Sequence, residues 1–409
     1  MAQTDLSYYI GQAKSNSPLV RDNKYQSEAN KIESERIKAL YTKPQVTFNA
    51  AIAVAPIINR DNGASQFQLS PSDATNYSGY DIAASNGGVY QGMFNVTKPI
   101  FNAAKVGIAT RQSSVAALIN ENTIRLSEHD IEKLVTDQYI LCVQDLKQKD
   151  YIENLNQLIS EQKVIINKLV GSGLLKQSDL LLVTIEQQTQ QNALTLFKST
   201  YRRDLMDLNI LCGINDTGWV NLKDPELKLN ANATQSNFME KYRLDSLNLI
   251  AGQQLFELKY KPQLSAFANA GLNGVYVPTL PNRLGFSTGL NFSVFLFDGK
   301  QKSLNKRKTD ILIKSSQLYK SNFITVNTIR KNKILSEISS LNERIAVSEN
   351  QIKDYKQLLE YYKTEVITGQ QSVTAYILTV KNFGTLQRDY VLLLTTKQLL
   401  INTYNYWNW

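Results

Sequence analysis

Phe286-Ser287-Thr288-Gly289-Leu290-Asn291-Phe292-Ser293-Val294-Phe295-Leu296-Phe297-Asp298 alternates in polarity along most of its length. Phe286, Thr288, Leu290, Phe292, Val294 and Leu296 fall on one side, against Ser287, Gly289, Asn291 and Ser293 on the other. Successive side chains of a strand point to opposite faces, so this stretch predicts a strand with one apolar and one polar face. At Asp298 the period changes. Residues 298–366 form a 69-residue stretch without proline. Inside it Ile338, Leu341, Ile345, Ser348, Ile352, Tyr355, Leu359, Tyr362 and Val366 step alternately by three and four. That is the seam of a helix packed on a helical neighbour.

The same transition stands earlier in the chain. Phe94, Val96 and Ile100 alternate with Asn95 and Thr97 between Gly92 and Phe101, and residues 102–170 are again 69 residues without proline. Ile100-Phe101-Asn102 answers Leu296-Phe297-Asp298, and Val170-Gly171-Ser172-Gly173 answers Val366-Ile367-Thr368-Gly369, both at an offset of 196. Thr42-Lys43-Pro44-Gln45-Val46 and Tyr260-Lys261-Pro262-Gln263-Leu264 lie 218 apart, so the first half carries 22 more residues on its strand side. Two markers at one offset predict a tandem duplication. The first repeat would cover 1–213, a linker 214–235, and the second repeat 236–409.

Each repeat opens on a helix. Residues 4–42 read as helical, interrupted at Asn16-Ser17-Pro18, where Ser17 suits a cap and Pro18 a first helical position. After Pro44, the alternation of Val46, Phe48, Ala50, Ile52 and Val54 with their neighbours predicts a strand. Residues 56–90, rich in Gly, Ser, Asn and Asp, read as a long loop. In the second repeat a helix is expected over about 236–260 and a strand from Pro262. Each 69-residue stretch would make a helix ~100 Å long at ~1.5 Å per residue. Gly171 and Gly173 break the first, and Ser178 is the candidate cap of a return helix that Gly213 ends. Gly369 breaks the second, and residues 373–403 return. The tail Tyr404-Asn405-Tyr406-Trp407-Asn408-Trp409 reads as a packed or frayed terminus.

Composition removes several function classes. The net charge is +9, but the lysines are spread along the helices, with Lys306-Arg307-Lys308 the tightest cluster, so nucleic acid is not an expected partner. His129 is the only histidine, which leaves no material for a His-based metal site or triad; it reads as a packing residue. Cys142 and Cys212 lie in apolar helical contexts and read as buried thiols, a disulfide between them being the alternative. Gly171-Ser172-Gly173 lacks the lysine and spacing of a phosphate loop. No catalytic, cofactor-binding or metal-ligating residue is expected, and the reading is not that of an enzyme. No apolar run approaches the ~18 residues of a membrane helix. The start, Met1-Ala2-Gln3-Thr4-Asp5, reads as a replacement methionine before a mature N terminus, with an export signal removed.

The strands are about ten residues long, enough to cross a bilayer when tilted. A sheet in lipid has to close, because its unpaired backbone groups find no water. Four strands per chain cannot close alone. Three copies would bring twelve, with the apolar face toward lipid and Asn49, Asn95, Thr97, Asn291 and Ser293 toward an aqueous lumen. The two long helices and their returns would make one sector of a helical tube. The alternative is a soluble structural coiled-coil scaffold, which has no use for strands so apolar on one side.

In this order the motifs resemble the TolC-type outer-membrane export channels, the outer membrane factor family, over nearly the whole chain. The matching residues are Asn16-Ser17-Pro18-Leu19, the Lys-Pro-Gln entry of both strand pairs, and the junctions Pro99-Ile100-Phe101-Asn102 and Leu296-Phe297-Asp298-Gly299. The turns from Gly173 to Leu180 and from Gly369 to Tyr376 match as well, as does the helix end from Leu205 to Gly213. The resemblance implies an α+β membrane protein that assembles as a homotrimer. Its four transmembrane strands per chain, from 44–101 and 262–297, would form a 12-stranded outer-membrane barrel continuous with a helical periplasmic tunnel. It implies a passive exit duct of a tripartite efflux pump or type I secretion system. The implied partners are outer-membrane lipid, a periplasmic adaptor (membrane fusion) protein, and an inner-membrane pump of the resistance-nodulation (RND), ABC or major-facilitator (MFS) class. The adaptor-docking residues would be Gly173, Leu174, Ser178, Asp179, Gly369, Gln370 and Thr374. One departure stands out. The family's acidic rings in the second turn meet Ala375 and Leu378 here, between Thr374 and Thr379. A constriction built by Tyr376, Ile377 and Leu378 is the expected substitute.

Overall fold

The computed structural model describes residues 5–61, 63–69, 74–80, 88–231 and 236–409. Seven α-helices and seven strands follow the order α1 (Leu6–Asn16), α2 (Pro18–Thr42), β1 (Gln45–Val54), β2 (Ile57–Asn59), β3 (Gln66–Gln68), β4 (Tyr77–Ser78), β5 (Gly88–Pro99), α3 (Ala103–Gly171), α4 (Gln177–Cys212), α5 (Met239–Glu257), β6 (Gln263–Gly274), β7 (Leu284–Ser293), α6 (Gln301–Ile367) and α7 (Val373–Trp407). The chain divides into two compact units. One holds residues 1–25, 120–242 and 317–409, the other 26–119 and 243–316. Each unit draws on both halves of the sequence. The first part of the 214–235 linker carries no helix as far as residue 231, and 232–235 lie outside the described residues.

The second unit is built on an antiparallel sheet in the order β1-β5-β6-β7. The strands form where alternation predicts them, with two boundary corrections. β5 begins at Gly88, upstream of Gly92. β7 ends at Ser293, so the apolar alternation outlasts the strand. The reason lies across the ladder: Ser293 pairs with Gln263, and before Gln263 comes Pro262, which has no N–H to extend the pairing. Phe295 leaves the sheet and sets its ring 5.5 Å from that of Tyr260.

Residues 56–90 are not simply a loop. β2, β3 and β4 form a small antiparallel sheet in the order β3-β2-β4. Asp61 ties it together by accepting from the Thr75 N–H at 2.8 Å, the Thr75 hydroxyl at 2.7 Å and the Asn76 N–H at 2.6 Å. Turn-forming residues conceal strands this short, because two or three residues carry no readable period.

The first unit is helical. The heptad seam of α6 is buried: Ile338, Leu341, Ile345, Leu359 and Val366 lie in the core, each such side chain contributing about 1.5–3 kcal/mol when fully withdrawn from water. Leu359 and Val366 share one cluster with Val373, Tyr376, Ile377, Val380 and Phe383 of α7 and with Leu155, Ile159, Ile166 and Val183 of α3 and α4. A second cluster gathers Tyr9 and Ala13 of α1 with Val135, Tyr139, Tyr201, Leu205 and Leu208. Cys142 and Cys212 are free and belong to it; burial pushes the Cys212 thiol up to about 12. The aromatic tail is packed. His129 stacks on Tyr406 at 4.7 Å and on Trp409 at 4.1 Å, and its Nε2 bonds the Tyr406 carbonyl at 2.9 Å. The Asn237 N–H donates to the Trp409 carbonyl, and the Arg330 guanidinium lies 3.8 Å over the Trp407 ring.

Candidate functional site

The sheet carries one candidate site, and its register builds it. Phe48, Phe94, Ala270 and Phe286 pair in one row across all four strands, and Val46, Val96, Ala268 and Thr288 in the next but one. Between them runs Thr47, Asn95, Asn269 and Ser287, on the opposite face. The alternation of single strands is therefore summed into one apolar and one polar surface. The apolar surface is uncovered: Phe48, Phe94, Leu290 and Phe292 are exposed, and Phe286 is 86% exposed. Among the described residues β1 and β7 each pair on one side only, so both edges present free backbone groups. An exposed apolar sheet with open edges marks an interaction surface. No helix among the described residues is long and apolar enough to cross a membrane.

Glycines let the strands approach. A Cβ on Gly271 would lie 2.2 Å from the Gly92 carbonyl oxygen, and one on Gly289 2.7 Å from the Phe267 ring. Phe267 thus lies against the hydrogen of Gly289 on the otherwise polar face.

The two helical turns form the other candidate site. At the first, Gly173 takes φ 76°, its N–H donates to the Val170 carbonyl at 3.0 Å, and the Leu174 N–H donates to that of Leu169 at 2.9 Å. At the second, Gly369 takes φ 74°, its N–H donates to the Val366 carbonyl at 3.3 Å, and the Gln370 N–H donates to that of Glu365 at 2.9 Å. These are two Schellman closures, and each bond of the second lies 196 residues after its counterpart. Val170 and Leu175 of the first turn pack on the core that holds Val366 and Val373 of the second. The structure thus brings the two turns together.

Gly173, Leu174, Ser178, Gly369, Gln370 and Thr374 are exposed, and Asp179 is half-buried. The cap is not Ser178. The Asp179 carboxylate accepts the Lys176 N–H at 3.0 Å, so the helix starts one residue earlier than a Ser178 cap would place it. At the second turn Ser172's counterpart in role is Ser372, whose hydroxyl accepts the Ala375 N–H at 3.1 Å. The constriction expectation needs correction. Tyr376 and Ile377 are 1% and 3% exposed inside the helical core, whereas Leu378 is 58% exposed. Their places on α7 turn two of the three side chains inward.

One contact near the turns has no local signal in the sequence. Glu186 of α4, 2% exposed, accepts from Lys381 of α7 at 3.0 Å and from Gln190 at 2.7 Å. Only the packing of α4 on α7 brings these residues within reach. No group of three or more His, Cys, Asp or Glu placed to hold a metal ion occurs among the described residues.

Solved structures with this architecture are outer-membrane channels. The CmeC channel of Campylobacter jejuni aligns with a TM-score of 0.71 at 13% identity, over 98% of this chain and 85% of that one. The outer membrane protein VceC of Vibrio cholerae aligns with a TM-score of 0.70 at 12% identity, over 98% and 96%. The MtrE channel of Neisseria gonorrhoeae, in its open state, aligns with a TM-score of 0.68 at 10% identity, over 98% and 88%. No family model matches the chain, and no curated protein matches it by sequence. At identities this low the likeness is one of architecture, and on it the chain has the TolC-type fold of the outer membrane factor channels.

Proposed function

We propose that this chain is the exit duct of a tripartite efflux pump or type I secretion system, acting as a passive homotrimeric channel in the outer membrane of a Gram-negative bacterium. The observation that carries the reading is the four-stranded sheet, with an uncovered apolar face, a polar face and two open edges. Pairing the β7 edge of one copy with the β1 edge of the next removes every edge. Three copies of four strands make a twelve-stranded barrel, apolar outside and polar within. The matched closures of the two turns, 196 residues apart, support reading 1–213 and 236–409 as a tandem duplication. They also support ending both helical hairpins at one plane.

That plane is the proposed docking surface for a periplasmic adaptor, through Gly173, Leu174, Ser178, Asp179, Gly369, Gln370 and Thr374. The adaptor would connect the duct to an inner-membrane pump of the RND, ABC or MFS class. Leu378 is the proposed narrow point, and the neutral residues around it hold no acidic ring. In planar bilayers the purified protein is expected to conduct, and trivalent cations are expected not to block it. In detergent its protein mass should be three times 46.2 kDa. A monodisperse monomer that needs no detergent would rule the channel out.

A further inference from the structure

The ends of β5 and β6 that lead into the helices flank a cavity of about 390 Å³. It lies wholly within the second unit. Lys105 of α3 and Lys259 at the end of α5 line it, with the neutral polar Asn102 and Ser265 and the apolar Leu255 and Leu258. None of its eleven lining residues is acidic. Ser265 pairs into the polar face of the sheet, so the cavity opens on the side of Asn95 and Asn269.

Lys105 is the unusual member. Its Nζ donates to the Pro262 carbonyl at 2.6 Å, which engages one of the three N–H groups of the ammonium. Burial, and then the positive charge of Lys261, hold its pKa below the ordinary lysine value. No carboxylate offsets either effect. Lys259 is better served: its Nζ lies 3.2 Å from Gln301 Oε1 and 4.3 Å from the Phe256 ring centroid, and Asp298 feels its charge. A partly desolvated ammonium beside a second cation is relieved by an anion, which restores the lost solvation and cancels the repulsion. Phosphate suits two ammonium groups and neutral donors, because it offers several strong acceptor oxygens and lysine meets it as a point charge. The two leucines add an apolar wall that a free ion would not use.

We infer that this cavity binds the phosphate group of an anionic amphiphile, with Lys105 as its chief ligand. The lining belongs to one chain, so the inference stands apart from the channel reading. The test is calorimetric titration of the full chain in uncharged detergent with dihexanoyl phosphatidic acid, and separately with inorganic phosphate. Binding of the lipid should weaken about tenfold or more in Lys105→Met and persist in Lys105→Arg. It should be unchanged in Lys98→Met, which sits on the opposite face of β5. Competition by inorganic phosphate would identify phosphate from either source as the recognised group; binding of the lipid alone would assign the amphiphile as the source. Absence of lipid binding to the unmodified chain, or equal binding by Lys105→Met, would overturn the inference. Helical circular dichroism checks that Lys105→Met folds, and Lys259→Met is the second variant if it does not.

Discussion

Asp145 is the residue whose environment is hardest on it. It is 4% exposed on α3, its Oδ2 has no hydrogen-bond partner, and Asp204 of α4 shares its surroundings. Burial first, and then the Asp204 carboxylate, push it up to about 7, with the Arg203 charge opposing. The folded chain therefore holds this proton more tightly than the unfolded chain, whose Asp titrates near its ordinary value of about 3.9. The stability from Asp145 is full below the ordinary value and is lost as pH rises through about 7. Asp145→Asn should then raise the melting temperature by a few degrees at pH 8, and the gain should shrink toward pH 5. Thermal melts at the two pH values check this; a gain larger at pH 5 would contradict it. Neither Asp145 nor Asp204 stands out in the sequence, because a carboxylate on a long helix reads as a solvated surface group until its neighbour is known.

Between elements, the telling contact joins the two return helices. Glu186 on α4 is buried, and Lys381 on α7, half-exposed, supplies its counter-charge. Lys381→Met leaves a buried carboxylate with Gln190 as its remaining partner. The expected loss is about 1–3 kcal/mol. Glu186→Gln removes the charge along with the need for it and should cost less. Urea unfolding of both variants checks the order, and equal losses would show that the pair acts only through packing. The turns that end these hairpins were legible from glycine alone, since Gly173 and Gly369 adopt positive φ where a Cβ is disfavoured. The cap at Asp179 was not, because Ser178 and Asp179 are both good capping residues and only the backbone path chooses between them.

For the molecule as a whole, the proposal rests on which face of the sheet meets lipid. Phe286 lies in the apolar row and Ser287 in the polar row of the same strand. Phe286→Arg should abolish assembly in lipid, since an arginine on the lipid face costs about 2–4 kcal/mol near the bilayer centre, once in each of the three copies. Ser287→Arg should assemble and alter conductance instead. Assembly in liposomes, read by gel mobility of the unheated complex, separates the two. Equal tolerance of both substitutions would mean that the apolar face does not meet lipid.

The chain alone determined its elements and their faces. Alternation set the four long strands, proline-free length set the helices, and glycines set the turns, because period and backbone freedom are local properties. The tertiary structure decided the rest. It buried Tyr376 and Ile377 while leaving Leu378 exposed, ended β7 opposite Pro262, found strands within 56–90, and placed Asp145 by Asp204 and Glu186 by Lys381. Each depends on which distant element lies alongside, and that follows from packing summed over the whole core rather than from any one stretch of residues.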